Sequence, residues 1–354
     1  EIVEISNLKD MLNKTKNIYA NNIAYKIRVE PNRYRTITHL KVREMIDNLG
    51  TALISLGLKN KRIAIIGENR FEWEIAYLAV VCGVGTVVPL DKSLPENELR
   101  KVIARSEVEG IIYSGKYEEQ LKKMVLEGVG NLRTLISMDA KTIHNGIYSE
   151  TELIQIGNIQ IQNGNREFLD SKINPEEMNI MLFTSGTTSE SKVVALSHKN
   201  ICENLMDLAK VMDINENDKI LSFLPVHHVF ECTVGFLFAL YKGAQTSFCD
   251  GIKHIVPNLK EYEISFACFV PAIYENMYKN IVKKLEKENK LETINMLIEK
   301  NKNASMEEKK KIFKDIHNIF GGNIRLFISG AAPLDKKVEE WFRSVGINLC
   351  QGYG

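Results

Sequence analysis

The segment Thr184-Ser185-Gly186-Thr187-Thr188-Ser189-Glu190-Ser191-Lys192 gathers hydroxyl side chains, one glycine and one lysine into nine residues. Hydroxyls and backbone N–H groups are donors suited to phosphate oxygens, and a lysine adds a mobile point charge that fits a pyrophosphate leaving group. By composition alone the same residues also describe a solvated Ser/Thr loop between hairpin strands. It is not a P-loop of the G-x-x-x-x-G-K-[ST] kind, because Ser191 precedes Lys192 and Val193 follows it.

Three later segments could also do chemistry. His227 and His228, with Glu231 and Cys232 close behind, either open a helix whose apolar face is core or form part of a metal site, for which no third ligand stands at a recognised spacing. Ser329-Gly330-Ala331-Ala332-Pro333 follows an apolar strand. Its small residues either let a flat ring approach the backbone or make an ordinary strand-to-helix turn. The chain closes on Gln351-Gly352-Tyr353-Gly354, directly after the strand-like 346–350.

The elements that must position these residues read as βα units. From Lys61 onward short apolar runs alternate with amphipathic ones, which predicts a mostly parallel sheet. Strands are expected at 63–66, 85–90, 111–113 and 134–137, with helices over 72–82 and 96–105. The polar stretch 158–174 reads as a linker or surface loop. The alternation then restarts, with strands at 179–183, 192–196, 220–224, 245–248, 265–270 and 325–329. Pro271 stops a buried strand and begins a helix, and 278–320 is a Lys-, Glu- and Asn-rich helical excursion. Two subdomains follow from this, over 1–170 and 171–354.

Composition narrows the function classes. The 354 residues carry 46 Lys plus Arg against 45 Asp plus Glu, a net charge of +1. Such a balance supplies no field that favours nucleic acid or an anionic membrane, so a small ligand is expected. No apolar run reaches the eighteen residues of a transmembrane helix, and the first residues lack the basic flank and apolar stretch of a signal peptide, so none is expected within this sequence. The six cysteines are scattered singly through apolar runs and read as reduced thiols. The expected location is the cytoplasm, with room for peripheral contact at the inner membrane face.

Taken together and in order, these segments resemble the adenylate-forming, AMP-binding superfamily of acyl-CoA synthetases, luciferases and peptide-synthetase adenylation domains. Thr184 through Thr188, Lys192, Val194 and Ser197-His198 match the signature T-S-G-T-T-G-x-P-K-G-V and its sequel in register; Ser189, Ser191 and Val193 depart from it. The segment 224–231 resembles the L-P-x-x-H-x-x-E of long-chain fatty acid CoA ligases. The segment 269–275 resembles their V-P-R-[VIL]-[YW]-E, with Ala272 in place of Arg. Gly67 to Trp73 and Gly83 to Leu90 look like the family's N-R-x-E-W and G-x-x-x-V-P-L segments, with a scaffold role.

The resemblance implies an α/β fold, the large N-terminal domain of this enzyme class, with two layered, mostly parallel βα subdomains and the C-terminal part of the fold missing. It implies ATP-dependent activation of a long-chain fatty acid to an acyl-adenylate and transfer to CoA, with ATP, Mg²⁺ and CoA required. Thr184, Ser185, Gly186, Thr187, Thr188 and Lys192 would then hold phosphate, with Thr184 beside the metal and with Thr184, Lys192 and His228 catalytic. His228 and Phe230 would meet the acyl group, and Gly330, Ala331, Ala332, Gln351, Gly352, Tyr353 and Gly354 the adenine. An intact member continues past Gly354 with further nucleotide-binding residues and a mobile domain bearing a catalytic lysine, so the chain is expected to bind nucleotide weakly and to be inactive alone. Two other readings remain: an acyl or aryl adenylating enzyme that loads a carrier protein, and a degenerate fold that binds nucleotide or lipid as a regulator.

Overall fold

Strands form where runs of β-branched and apolar residues are hidden on both faces. Ile63, Ala64, Ile65 and Ile66 have no exposed surface at all, as expected of a central parallel strand. The computed structural model describes residues 2–184 and 192–352. In chain order its strands are β1 (Ile23–Glu30), β2 (Arg33–Thr38), β3 (Arg62–Ile66), β4 (Thr86–Pro89), β5 (Gly110–Tyr113), β6 (Thr134–Ser137) and β7 (Tyr148–Ser149). They continue with β8 (Ile180–Thr184), β9 (Lys192–Leu196), β10 (Lys219–Ser222), β11 (Gln245–Phe248), β12 (Phe266–Phe269), β13 (Leu326–Ser329) and β14 (Leu349–Gln351).

These strands make two seven-stranded sheets, in the orders β7-β6-β5-β3-β4-β8-β9 and β14-β13-β12-β10-β11-β1-β2. All pairings are parallel except the two edge hairpins, β8 with β9 and β1 with β2. The expected α/β class and mostly parallel layering therefore hold, but a division at residue 170 does not separate the sheets. β8 and β9 complete the first sheet, and the N-terminal β1 joins β11 of the second. Local periodicity carries no information about such a distant pairing.

Alternation along each strand sorts side chains into layers. Ile63, Ile65, Val87, Ile112 and Ile136 of the first sheet share one core with Ile220, Phe266, Cys268 and Ile328 of the second. Helices Leu8–Tyr19, His39–Ser55, Phe71–Ala79 and His198–Val211 fill the space between. On the outer face of the first sheet, Ala64, Ile66, Ile111 and Tyr113 pack under helices Glu96–Ser106 and Glu118–Leu126. Outside the second sheet, Leu221, Ala267, Phe269 and Phe327 lie under helices Pro271–Lys287 and Lys336–Ser344.

The stretch 158–174 is the expected loop only from Asn163 onward. Residues 158–162 end helix Glu150–Gln162, and Phe168 is fully buried in the central core. Asn158 and Gln162 are exposed on a helix that packs against Asn48 through Gly157, where a Cβ would collide with the Asn48 carbonyl. The excursion from 278 resolves into helices Leu291–Lys300, Met306–Ile312 and Lys314–Ile319 after the long Pro271 helix. No helix among the described residues is long and apolar enough to cross a membrane. All six cysteines are unpaired, four of them buried.

Candidate active site at the carboxyl ends of two sheets

In each sheet the winding reverses at one strand. β3 lies between β4 and β5, and β10 lies between β11 and β12. Crevices beyond the carboxyl end of such a strand are where open parallel sheets bind ligands. Here the two crevices meet. Asn69, in the loop after β3, donates from Nδ2 to Ser222 Oγ (2.9 Å) and to Leu224 O (2.7 Å), and its Oδ1 accepts from Val226 N (3.1 Å). Asp91, just beyond β4, approaches His227 Nε2 at 3.8 Å. Burial pushes the His227 imidazole below its ordinary range, and Asp91 opposes that shift.

The loop after β10 carries the acyl-side residues expected from sequence. Residues 226–228 form a turn, with His228 N donating to Pro225 O, and the chain then enters a wide π-helical turn over Glu231–Leu237. His228 is exposed, and its Nδ1 accepts from Phe230 N (3.3 Å). Glu231 is fully buried: Ser222 Oγ donates to its Oε1 (2.8 Å), and burial raises its pKa to about 8. Gly235 leaves the room that this carboxyl occupies. The option of a His-His-x-x-Glu-Cys metal site does not come together. Glu231 and Cys232 turn into the core while His228 faces solvent, and among the described residues no group of three His, Cys, Asp or Glu could hold a metal.

Phe230 is the point of convergence. A Cβ placed on Gly330, at the end of β13, would stand 3.1 Å from the Phe230 ring, and one on Gly352, just past β14, 3.4 Å from it. Segments widely separated in sequence, one expected to meet the acyl chain and two expected to meet adenine, thus share one contact. Gly330 N donates to Phe269 O and Gly352 N to Ser329 O, which fixes both glycines to their neighbouring strands. Ala331 takes a left-handed φ of +73°, and Ala331 and Ala332 are exposed. Gln351 turns the other way: its Oε1 accepts from Leu334 N (3.1 Å) and its Nε2 donates to Glu339 (2.9 Å), tying β14 to the preceding helix Lys336–Ser344 and to the turn before it.

Thr184 and Lys192 form the last pair of the β8–β9 hairpin, with Thr184 Oγ1 donating to Lys192 O at 3.4 Å. Both side chains are exposed. Ser185, Gly186, Thr187, Thr188, Tyr353 and Gly354 lie outside the described residues, as do Ser189 and Ser191. Val193 pairs with Phe183 in β9, where a β-branched residue suits an extended strand. Ala272 is exposed in the first turn of its helix. The trailing Ser197-His198 is structural. Ser197 caps helix His198–Val211, and the buried His198 accepts from Leu8 N at Nδ1 and bonds Val81 O through Nε2, with its pKa lowered to about 4 by burial.

Asn69 is the residue that sequence reasoning passed over, since it stood inside a segment assigned to scaffold. An amide side chain in the first turn after a wholly buried strand was the available signal.

Comparison with known proteins agrees with this geometry. The model of the AMP-binding enzyme family matches residues 13–354. Long chain acyl-CoA synthetase 4 of Arabidopsis thaliana is 28% identical over 92% of the chain and 52% of its own length. Human long-chain-fatty-acid–CoA ligase 1 is 26% identical over 91% of the chain and 49% of its own length. The chain thus spans about half the length of these relatives. Among solved structures, the N-terminal domain of FACL13 from Mycobacterium tuberculosis superposes with a TM-score of 0.72 at 16% identity, over 99% of this chain and 76% of that one. A long-chain-fatty-acid-CoA ligase (FadD1) from Archaeoglobus fulgidus gives 0.73 at 17% identity, over 100% of this chain and 65% of its own. A signature hairpin at one sheet's edge, a shared crevice between two switch points and a family match across nearly the whole chain lead to one conclusion: the chain belongs to the AMP-binding, adenylate-forming enzyme family.

Proposed function

We propose that the chain supplies the nucleotide and acyl sites of a long-chain fatty acid CoA ligase, which activates the acid with ATP and passes the acyl group to CoA. One observation supports this above the others: the Phe230 ring lies against Gly330 and Gly352, so the acyl-side loop and the ring-approach segments form one wall. The relatives matched across the chain are named as long-chain acyl-CoA synthetases.

In this reading the carboxylate attacks the α-phosphate of ATP, a bond to pyrophosphate breaks, and charge gathers on phosphate oxygens. Lys192 meets the departing pyrophosphate, and the Thr184 hydroxyl donates or accepts beside it. Gly330 lets the adenine ring lie flat on the end of β13. His228, free of burial, faces the acyl carboxylate. Mg²⁺ brought with ATP neutralises phosphate charge. The exposed Thr184 hydroxyl would offer such an ion an oxygen donor, the ligand type a hard cation prefers.

The test is pyrophosphate release by the full gene product with ATP, Mg²⁺, CoA and fatty acids of increasing length. Release that peaks with long chains and collapses in Lys192→Ala is the expected result. No release with any acid, alongside measurable ATP binding, would overturn the ligase reading in favour of a nucleotide-binding regulator.

A further inference from the structure

We infer that Asn69 is a positioning residue for the acyl site, a clamp through which the first sheet fixes the loop that carries His228 and Phe230. This rests on the proposed ligase reading for its functional half. The structural half stands on contacts alone.

Asn69 spends every polar atom of its side chain on the other sheet. Both bonds from Nδ2 and the bond to Oδ1 reach residues between 222 and 226, at sequence separations of 153, 155 and 157. Leu224 O and Val226 N belong to the backbone that leads into the turn at His228, so the amide does for this irregular segment what a neighbouring strand does for a regular one. No apolar side chain can replace it without leaving a half-buried donor and acceptor unpaired.

The clamp continues inward. Ser222 accepts from Asn69 and donates to Glu231, whose carboxyl is seated in the space left by Gly235. Both ends of the loop are therefore held: residues 222–226 by Asn69 and residue 231 by Ser222. Phe230 lies between those anchors and reaches Gly330 and Gly352. The anchor itself is stiff, because the adjacent Arg70 is bound to Glu72 (2.9 Å) and Asp139 (2.8 Å). The β3 loop thus sets the position of the acyl side of the crevice, while the phosphate hairpin at the sheet edge has no bond to Asn69 among the described residues.

The experiment compares the full gene product with its Asn69→Ala and Ser222→Ala variants by two measurements: amide hydrogen exchange over residues 222–231, and pyrophosphate release with separate titrations of a long-chain acid and of ATP. The expected result is exchange at least about tenfold faster over 222–231, with unchanged protection in β3 and β12. The acid KM should rise about tenfold with the ATP KM within about twofold, and Ser222→Ala should show the same pattern at smaller size. Unchanged exchange in Asn69→Ala would overturn the clamp. Faster exchange with equal changes in both KM values would overturn the positioning role. If the unaltered protein releases no pyrophosphate with any acid, the ligase reading fails and takes the acyl role with it, while the exchange data still decide the clamp.

Discussion

The two sheets are wound the same way and differ in the hairpin each carries. Each begins at its switch-point strand, adds one strand on one side and three on the other, and is extended by an antiparallel hairpin next to the single strand: β8–β9 beside β4 in the first, β1–β2 beside β11 in the second. Because β8 runs parallel to β4 and β1 parallel to β11, both hairpin turns lie at a carboxyl end of their sheet. In the second sheet Glu30 and Arg33 close a two-residue turn, with Pro31 presetting one dihedral and Asn32 at a φ of +59°. In the first, Thr184 and Lys192 close a seven-residue, hydroxyl-rich connection. On the proposed function, the scaffold alone does not separate a chemical position from an inert one. Loop length and side-chain type do.

That contrast is open to direct attack. The largest effect is expected at Lys192: Lys192→Ala should lower pyrophosphate release by the full gene product at least about a hundredfold, the scale of losing a donor to developing charge, with its melting temperature unchanged. Arg33→Ala, at the equivalent place on the other hairpin, breaks only an exposed pair with Glu30 and should alter neither quantity. A comparable loss in Arg33→Ala would dissolve the distinction between the hairpins.

Next in size is Gly330→Val. Its methyls would press on the Phe230 ring, costing about 1–3 kcal/mol in a denaturant titration. If the ring contact matters for the acyl group, the acid KM rises as well. A smaller effect comes from Glu231. Its folded pKa of about 8 lies above the ordinary 4.5, so the folded state holds a proton that the unfolded chain has released. The associated stability is complete below about pH 4.5, falls as pH rises, and is lost above about pH 8. Glu231→Gln, which keeps an acceptor for Ser222, should flatten this slope and so gain stability on the parent as pH rises from 5 to 9. Equal slopes in urea titrations at pH 5 and 9 would show that the carboxyl does not carry the proton. The smallest effect is Asn32→Ala, about 1 kcal/mol, because alanine is strained at a positive φ; Asn32→Gly should cost nothing.

Sequence pattern located most strands from Lys61 onward to within two residues, because buried parallel strands are short apolar runs with little else they can be. It did not read β1, whose outer half is exposed and carries Lys26, Arg28 and Glu30, nor helix Glu150–Gln162, whose polar side chains imitate a loop. Of the proposed site residues, Thr184, Lys192, Gly330 and Gly352 stand at or next to strand ends and His228 and Phe230 in the loop after β10, and motif order singles out all six. Asn69 is not singled out by it, and Glu231 enters as a metal-site option rather than as a buried carboxyl. Their significance lies in partners on the far side of a crevice, or in burial that only the folded core supplies.

The N-terminal hairpin has one more consequence, for biosynthesis. Ser247 Oγ donates to Lys26 O across 221 residues, and Tyr25 pairs with Thr246. β1 therefore leaves the ribosome roughly ten to forty seconds before its neighbour exists, at ordinary elongation rates. The tight turn at Pro31-Asn32 lets β1 and β2 pair with each other at once, which occupies one edge of β1 while the other stays open. During that interval the nascent chain presents a template for strand addition, and a chaperone that recognises exposed strand edges has its clearest target there.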